Sequence, residues 1–354
     1  MSRKHCLFLG ALVLVVALAP VAIPQGAAGG PYHYLTTIKV GGEGGWDYGS
    51  VDPAARRLYY THGTRVVVVD IDKDAVVGEV TDTPGVHGFA IAPDLGLGFA
   101  SNGQENKASI VDLKTLATKM KVDTGTNPDA ILYDPGRKEV YTFNGRSNNA
   151  TVFEAQSGKV IATIPLPGKP EFAQVDVKAG RIYNNIEDKN EVSVIDTKAH
   201  AVVAHWPIAP GEGASGMAID LATHRLFLGA DKLMVMLDYV SGKVVTTVPI
   251  GPGVDANSFD PALKLAFASC GGDGTVTIAR ENSPEKLTVV QVLQTARGAR
   301  TMTLDPKTHK IYLAAADYEA PAAQPAQTAP GQRPPRPKMV PGSFKILVYG
   351  TDLK

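Results

Sequence analysis

The sequence predicts an all-β fold, a seven-bladed β-propeller with four-stranded blades, its last blade closed by the N-terminal strand. Three observations predict it. A phrase of apolar strand, "DP" turn, aromatic strand, polar loop and Asp-ended strand recurs seven times at near-constant spacing. Each period has room for four short strands with turn residues between them. The two ends of the chain each supply an incomplete unit, and the two pieces complement one another.

The copies begin "SVDPAARRLYYTHG", "AIAPDLGLGFASNG", "LYDPGRKEVYTFNG", "QVDVKAGRIYNNIE", "AIDLATHRLFLGAD", "SFDPALKLAFASCG" and "TLDPKTHKIYLAAA". Aligned on the residue after the first Asp or its equivalent, they fall at 53, 93, 135, 177, 221, 261 and 306, spaced 40, 42, 42, 44, 40 and 45 residues apart. A period of about 40–45 residues with four strands per unit marks a propeller blade of the WD40-like kind. In the third unit the strands are expected at Ala130–Tyr133 (innermost), Glu139–Phe143, Ala150–Glu154 and Lys159–Ile164. In "DPGRKE" proline pre-sets the backbone of the first turn while Asp accepts bonds from nearby amides, and in "QSGK" Gly turns the chain back. Asp70, Asp112, Asp196 and Asp238, which end third strands, and Asp52, Asp134, Asp260 and Asp305, in the "DP" turns, read as turn formers because their positions recur. The seventh unit ends after its third strand, "FKILVYG" (344–350), and "YLTTIKV" (34–40) near the start supplies the missing fourth. Such closure leaves only short outer edges exposed.

Residues 1–28 read as an export signal. Arg3 and Lys4 precede the apolar run Leu7 to Ile23, which Pro20 interrupts, and Gly26-Ala27-Ala28 offers a cleavage site. An uncleaved anchor is the competing reading. Cleavage would leave residues 29–354 as one domain, periplasmic or extracellular, with no stretch able to span a membrane, and expected as a monomer. The whole chain has 35 basic and 35 acidic residues, so removing two basic ones leaves a slight negative balance. That gives no electrostatic footprint for nucleic acid. Cys270 is then the one remaining cysteine, so no internal disulfide forms and packing must hold the fold.

The phrases "YNNIEDKNEVSVID", "FASNGQENKASIVD" and "YYTHGTRVVVVD" share a Y-V-T-N … V-S-V-I-D pattern. By it the chain resembles the YVTN-repeat (YncE-like) family of secreted seven-bladed propellers over its whole mature length. The resemblance implies the fold and export. It implies binding roles at the cell surface or in the periplasm, with DNA binding proposed for one branch. The chain is also similar to propeller domains of some redox enzymes, but it carries no C-x-x-C-H for a c-type haem.

What differs between the units is where function must lie. Two columns point toward one end of the ring, around the mouth of the central channel. The first, in the loop that leads to each innermost strand, reads Asp47, His87, Asp129, Glu171, Ser215, Asp255 and Arg300. The second, at the end of each second strand, reads His62, Asn102, Asn144, Asn185, Ala230, Cys270 and Ala315. Asp47, His62 and His87 are expected near one another, with Asp129 and Asn102 beside them. Two imidazoles with carboxylates could hold zinc or another divalent ion, whose bound water would become a nucleophile. Equally, the acids could serve loop amides and the Asn residues the turns. Trp46 could stack a ring at the mouth or pack its own loop. Cys270 as a nucleophile would need a histidine nearby, and the candidates lie on other blades; a small buried residue is the plainer reading. "GDG" at 272–274 is a hairpin signal. The chain has no Walker A, H-E-x-x-H, G-x-S-x-G or Rossmann pattern.

Residues 318–343, with seven prolines, interrupt the last blade between its second and third strands. Their composition cannot bury a core, and a disordered or polyproline-like insert is expected on the mouth face. Arg333, Arg336 and Lys338 make it basic, and it is expected either to cross the mouth as a lid or tether or to remain a solvated loop. Three functions follow: a binding scaffold recognising a small molecule, a surface polymer or a protein at the mouth; a metal-assisted, lactonase-like hydrolase; or a propeller partner of a redox enzyme.

Overall fold

A computed structural model describes residues 29–319 and 338–353. The expected signal at 1–28 and the centre of the expected insert lie outside the described residues. Seven four-stranded antiparallel sheets form the ring, and in the first six the strands run in sequence order from the axis outward. Neighbouring blades touch through their innermost strands all the way round, including the seventh on the first. The third blade comprises Pro128–Asp134, Glu139–Asn144, Asn149–Glu154 and Val160–Pro165, within two residues of the expected bounds.

The sequence explains the layering within a blade. Second and third strands are packed on both faces by neighbouring blades, so they are continuous apolar runs rather than alternations. "RLYYTH" and "RVVVVD" of the first blade are buried along nearly their whole length, while its outer strand "AVVGEV" is mostly exposed. Every expected turn aspartate accepts backbone N–H groups two or three residues on. Asp70 holds Asp72 and Lys73, Asp112 holds Lys114 and Thr115, and Asp260 holds Ala262 and Leu263, all within 3.1 Å. The residue closing the first turn is left-handed in all seven blades: Arg56, Gly96, Lys138, Gly180, His224, Lys264 and His309, with φ between 55° and 64°.

The seventh blade orders Met302–Asp305, Lys310–Ala315, Lys345–Thr351 and then Tyr32–Lys39. The N-terminal strand pairs antiparallel from Tyr32↔Thr351 to Lys39↔Lys345, as its sequence predicts. Gln291 of the sixth blade clamps it by accepting from Tyr32 N at 2.9 Å and donating to Tyr32 O at 2.8 Å. The proline-rich insert starts and ends more tightly than its composition suggests. Tyr318 and Met339 form an antiparallel bridge, with Glu319 N donating to Lys338 O and Val340 N to Asp317 O, each at 2.8 Å. Backbone pairing, which composition does not report, orders this stem. Among the described residues no helix is long and apolar enough to cross a membrane.

Candidate functional site

The first column gathers at the mouth because of a repeated irregularity. In blades 1 to 6 the pairing of innermost and second strands slips once: Trp46 faces His62 but Gly49 faces Tyr60, and Val86 faces Asn102 but Phe89 faces Ala100. The same slip follows Pro128, Pro170, Ala214 and Val254. A bulge puts an extra residue on one strand and re-aims its side chains. Asp47, His87, Asp129, Glu171, Ser215 and Asp255 all sit in these bulges. Cross-blade bonds then fix their backbones. Thr61 donates to His87 O at 2.8 Å, Ser101 to Asp129 O at 2.5 Å, Asn185 to Ser215 O at 2.9 Å and Ser269 to Arg300 O at 2.5 Å. In blades 1, 2, 4 and 6 the second strand thus sets the next blade's mouth residue.

The side chains link around the opening. His87 Nδ1 donates to Asp47 Oδ2 at 2.7 Å and stands 3.7 Å from Asp129 Oδ1. Arg300 donates through Nε to Asp255 Oδ2 at 2.6 Å and through Nη2 to Trp46 O at 2.8 Å, with Asp47 Oδ1 3.9 Å away. Ser215 donates to Asp255 at 2.8 Å, and Lys169 Nζ stands 2.6 Å from Glu171 Oε1 and 2.5 Å from Glu187 Oε2. The crowding of acids dictates protonation. Burial disfavours the His87 imidazolium, but the bond to Asp47 and the charges of Asp129, Asp47 and Glu171 outweigh it and push its pKa up to about 9. Burial, with the charges of Asp47 and Asp255 added, lifts Asp129 to about 6. Burial and the Asp129 charge lift Glu171 to about 8, despite Lys169. Asp255 is raised by burial and by Asp47.

The ring is floored. Tyr48 and Phe172, each next in sequence to a mouth acid, meet edge to face with centroids 4.8 Å apart and planes at 89°. They come from blades 1 and 4, which are not neighbours, so the contact spans the axis. The corresponding residues on the five other blades are small: Gly88, Ala130, Gly216, Ala256 and Thr301. At Gly216 a Cβ would lie 2.7 Å from Asn257 N, so that blade has no room for a side chain. Below the floor lies a channel cavity of about 280 Å³. Above it opens a bowl of about 1140 Å³.

The second column lies at the same end of the ring but does not reach the opening. His62 is not beside Asp47 and His87. It is buried and stacked on Phe344, centroids 4.0 Å apart, and donates from Nε2 to Gly44 O. Burial and then Arg65 hold its pKa down at about 4. Asp129 takes its place: with Asp47 and His87 it offers ligand atoms within 4.8 Å of one another. Asn102 and Asn144 are fully buried and donate inside their own blades, to Glu105 and Ser109 and to Asn149 and Thr151 respectively. Asn185 is equally buried. Trp46 packs rather than presents its ring: it is 6% exposed, sits 5.4 Å from Phe344, and carries the Arg300 guanidinium 5.9 Å from its centroid. Cys270 is buried, and burial together with Asp273 pushes its thiol up to about 12, which disfavours the thiolate a nucleophile requires. Sequence reading missed Lys169, Arg146 and the Tyr48–Phe172 floor. The two aromatics were visible only as the large residues in the column following the mouth acids.

Among solved structures, the chain is similar to the hydrazine synthase of Kuenenia stuttgartiensis, with a TM-score of 0.69 and 16% identity over 78% of this chain and 94% of that one. At that identity the likeness shows the fold alone. No family model matches the chain, and no curated protein matches it. Fold and comparison together define a seven-bladed β-propeller.

Proposed function

We propose that the protein is a non-catalytic binding propeller, exported through residues 1–28 to the periplasm or exterior, whose ligand or partner sits at the channel mouth. Its placement in the YVTN-repeat (YncE-like) family rests on the repeated sequence phrase. The observation that supports a mouth site is the ring of Asp47, His87, Asp129, Glu171 and Asp255, aimed by strand bulges and completed by Arg300, under an open bowl. Polar side chains held in fixed positions around a concavity are what recognition of a small ligand requires. Screening a mixed fragment library by ligand-observed NMR against wild type, His87→Gln and a variant altered on the opposite face, Arg181→Gln, tests the reading. Hits lost only in His87→Gln support it; hits that survive there and vanish in Arg181→Gln reject it. N-terminal sequencing of protein from an exporting host tests the address, with Gly29 expected first.

A second reading, a metal-assisted hydrolase, draws on the Asp47, His87 and Asp129 cluster. A metal there would have to displace the proton that His87 shares with Asp47, beside the Arg300 cation. Elemental analysis of protein purified without chelator decides it. About one equivalent of a transition metal, lost in Asp47→Ala/His87→Ala, would bring that reading forward.

A further inference from the structure

The charges at the mouth are layered. Among the described residues the bowl is lined by the cationic or basic side chains of His87, Arg146, Lys169 and Arg300, with Tyr318 and Met339 on its side, while Asp47 lines the adjoining cavity toward blades 2 and 3. The acids lie underneath. The side chains of Asp129 and Glu171 are 14% and 7% exposed, against 43% for Lys169 and 40% for Arg300. Three of these cations are held from below by less exposed acids: Asp47 holds His87, Asp255 holds Arg300 and Glu171 holds Lys169. Arg146 is exposed and has no ion-pair partner among the described residues.

We infer that the mouth binds a small ligand carrying two or more carboxylate or phosphate groups. This rests on the reading of the mouth as the ligand site and names the chemistry it takes. Side chains already fixed by hydrogen bonds to the acids beneath them, as His87 is by Asp47 and Arg300 by Asp255, lose little freedom when a ligand arrives, which favours binding by preorganisation. Guanidinium groups meet carboxylate and phosphate oxygens with paired donors, and Arg146 has all of its donors free of ion pairs. Arg146 and Arg300 stand on blades 3 and 7 and line the same bowl from different blades, so a ligand with spaced anionic groups can engage both. The Tyr48–Phe172 floor and the bowl volume limit depth and suit a compact molecule, since small-ligand sites run to roughly 1000 Å³. Tyr318 and Met339 offer an apolar wall to its body.

The test is isothermal titration of the full mature chain with benzene-1,2,4,5-tetracarboxylate and with inositol hexakisphosphate, at low and at physiological salt. The neutral tetracarboxamide and spermine serve as controls. At least one anion should bind at one equivalent, weaken as salt rises, and lose about tenfold or more in affinity in Arg146→Gln, as expected for a charge-assisted contact. Because Arg146 is exposed and unpaired, that variant should unfold at the same urea concentration as wild type. Carboxylate against phosphate preference then separates the two ligand chemistries. Failure of both anions, with spermine or the carboxamide binding in a His87-dependent way, overturns the anion class and leaves the mouth site standing. Anion binding unmoved by Arg146→Gln and by Lys169→Gln overturns the placement itself. No binding by any of the four overturns the inference.

Discussion

Tyr48 and Phe172 meet edge to face across the ring axis, with centroids 4.8 Å apart. The Tyr48 hydroxyl also stands 3.5 Å from Glu171 Oε2. One contact between opposite blades therefore closes the channel under the mouth and braces the ring from within. Phe172→Ala should cost about 2 kcal/mol, read as a lower urea midpoint, because a half-buried aromatic is deleted where its small neighbours cannot fill the gap. Tyr48→Phe keeps the ring contact and should cost less than about 1 kcal/mol. Equal losses in the two variants would show that the hydroxyl, not the ring pair, holds the floor.

Stability should fall as pH rises from about 5 to 9.5. His87, lifted to about 9 by its acids against the opposing effect of burial, contributes stability that is fully present below its ordinary 6.5 and lost as pH passes through 9. Glu171 and Asp129, raised mainly by burial, to about 8 and about 6, act in the same direction: the folded protein keeps protons that the unfolded chain has already released. The histidine share has a ceiling of about 3 kcal/mol. Urea midpoints across that range, with a histidine NMR titration, check this. A stability that is flat or rises above pH 7 contradicts it.

Cys270 should resist iodoacetamide at pH 8 in the folded protein and react within minutes in urea. Its thiol is buried, and burial with the Asp273 charge holds it up at about 12. Mass spectrometry with and without denaturant gives the answer. Rapid native labelling would mean that the sixth blade opens locally.

Gly96→Ala should cost about 1 kcal/mol. Its φ is 64° and an added Cβ meets nothing within 4 Å, so the cost is conformational alone. The converse change, Asp74→Gly, relieves a left-handed Asp at φ 48° and should gain about 0.5 kcal/mol. Gly158 and Gly242 already occupy the matching turn in blades 3 and 5. Thermal midpoints of the two variants should move in opposite directions.

The blades were legible because what makes them is local. Asp70, Asp112, Asp196 and Asp238 fold their own turns within three residues, and a repeat of such turns declares itself in the sequence. The first mouth column could be listed for the same reason, since its residues hold fixed places in the repeat. Where those side chains aim was not legible. The slip between Trp46 and Gly49 depends on pairing with a partner strand, and it decides that Asp129, not His62, joins Asp47 and His87. Nor does any local pattern bring Tyr48 to Phe172, more than a hundred positions along the chain.

The ring is sealed by Tyr32–Lys39 lying on Lys345–Thr351. The earliest described strand therefore waits for the latest before it is paired, and a chain emerging progressively completes six blades while the seventh keeps an open edge. That edge is a template for the same strand of another copy. At high concentration during refolding, reciprocal strand exchange should compete with closure within one chain, giving dimers that share two hybrid seventh blades and separate only on unfolding. Moving the chain break to the turn at Gly96, which would make the sealing strand continuous with its neighbour, should suppress them.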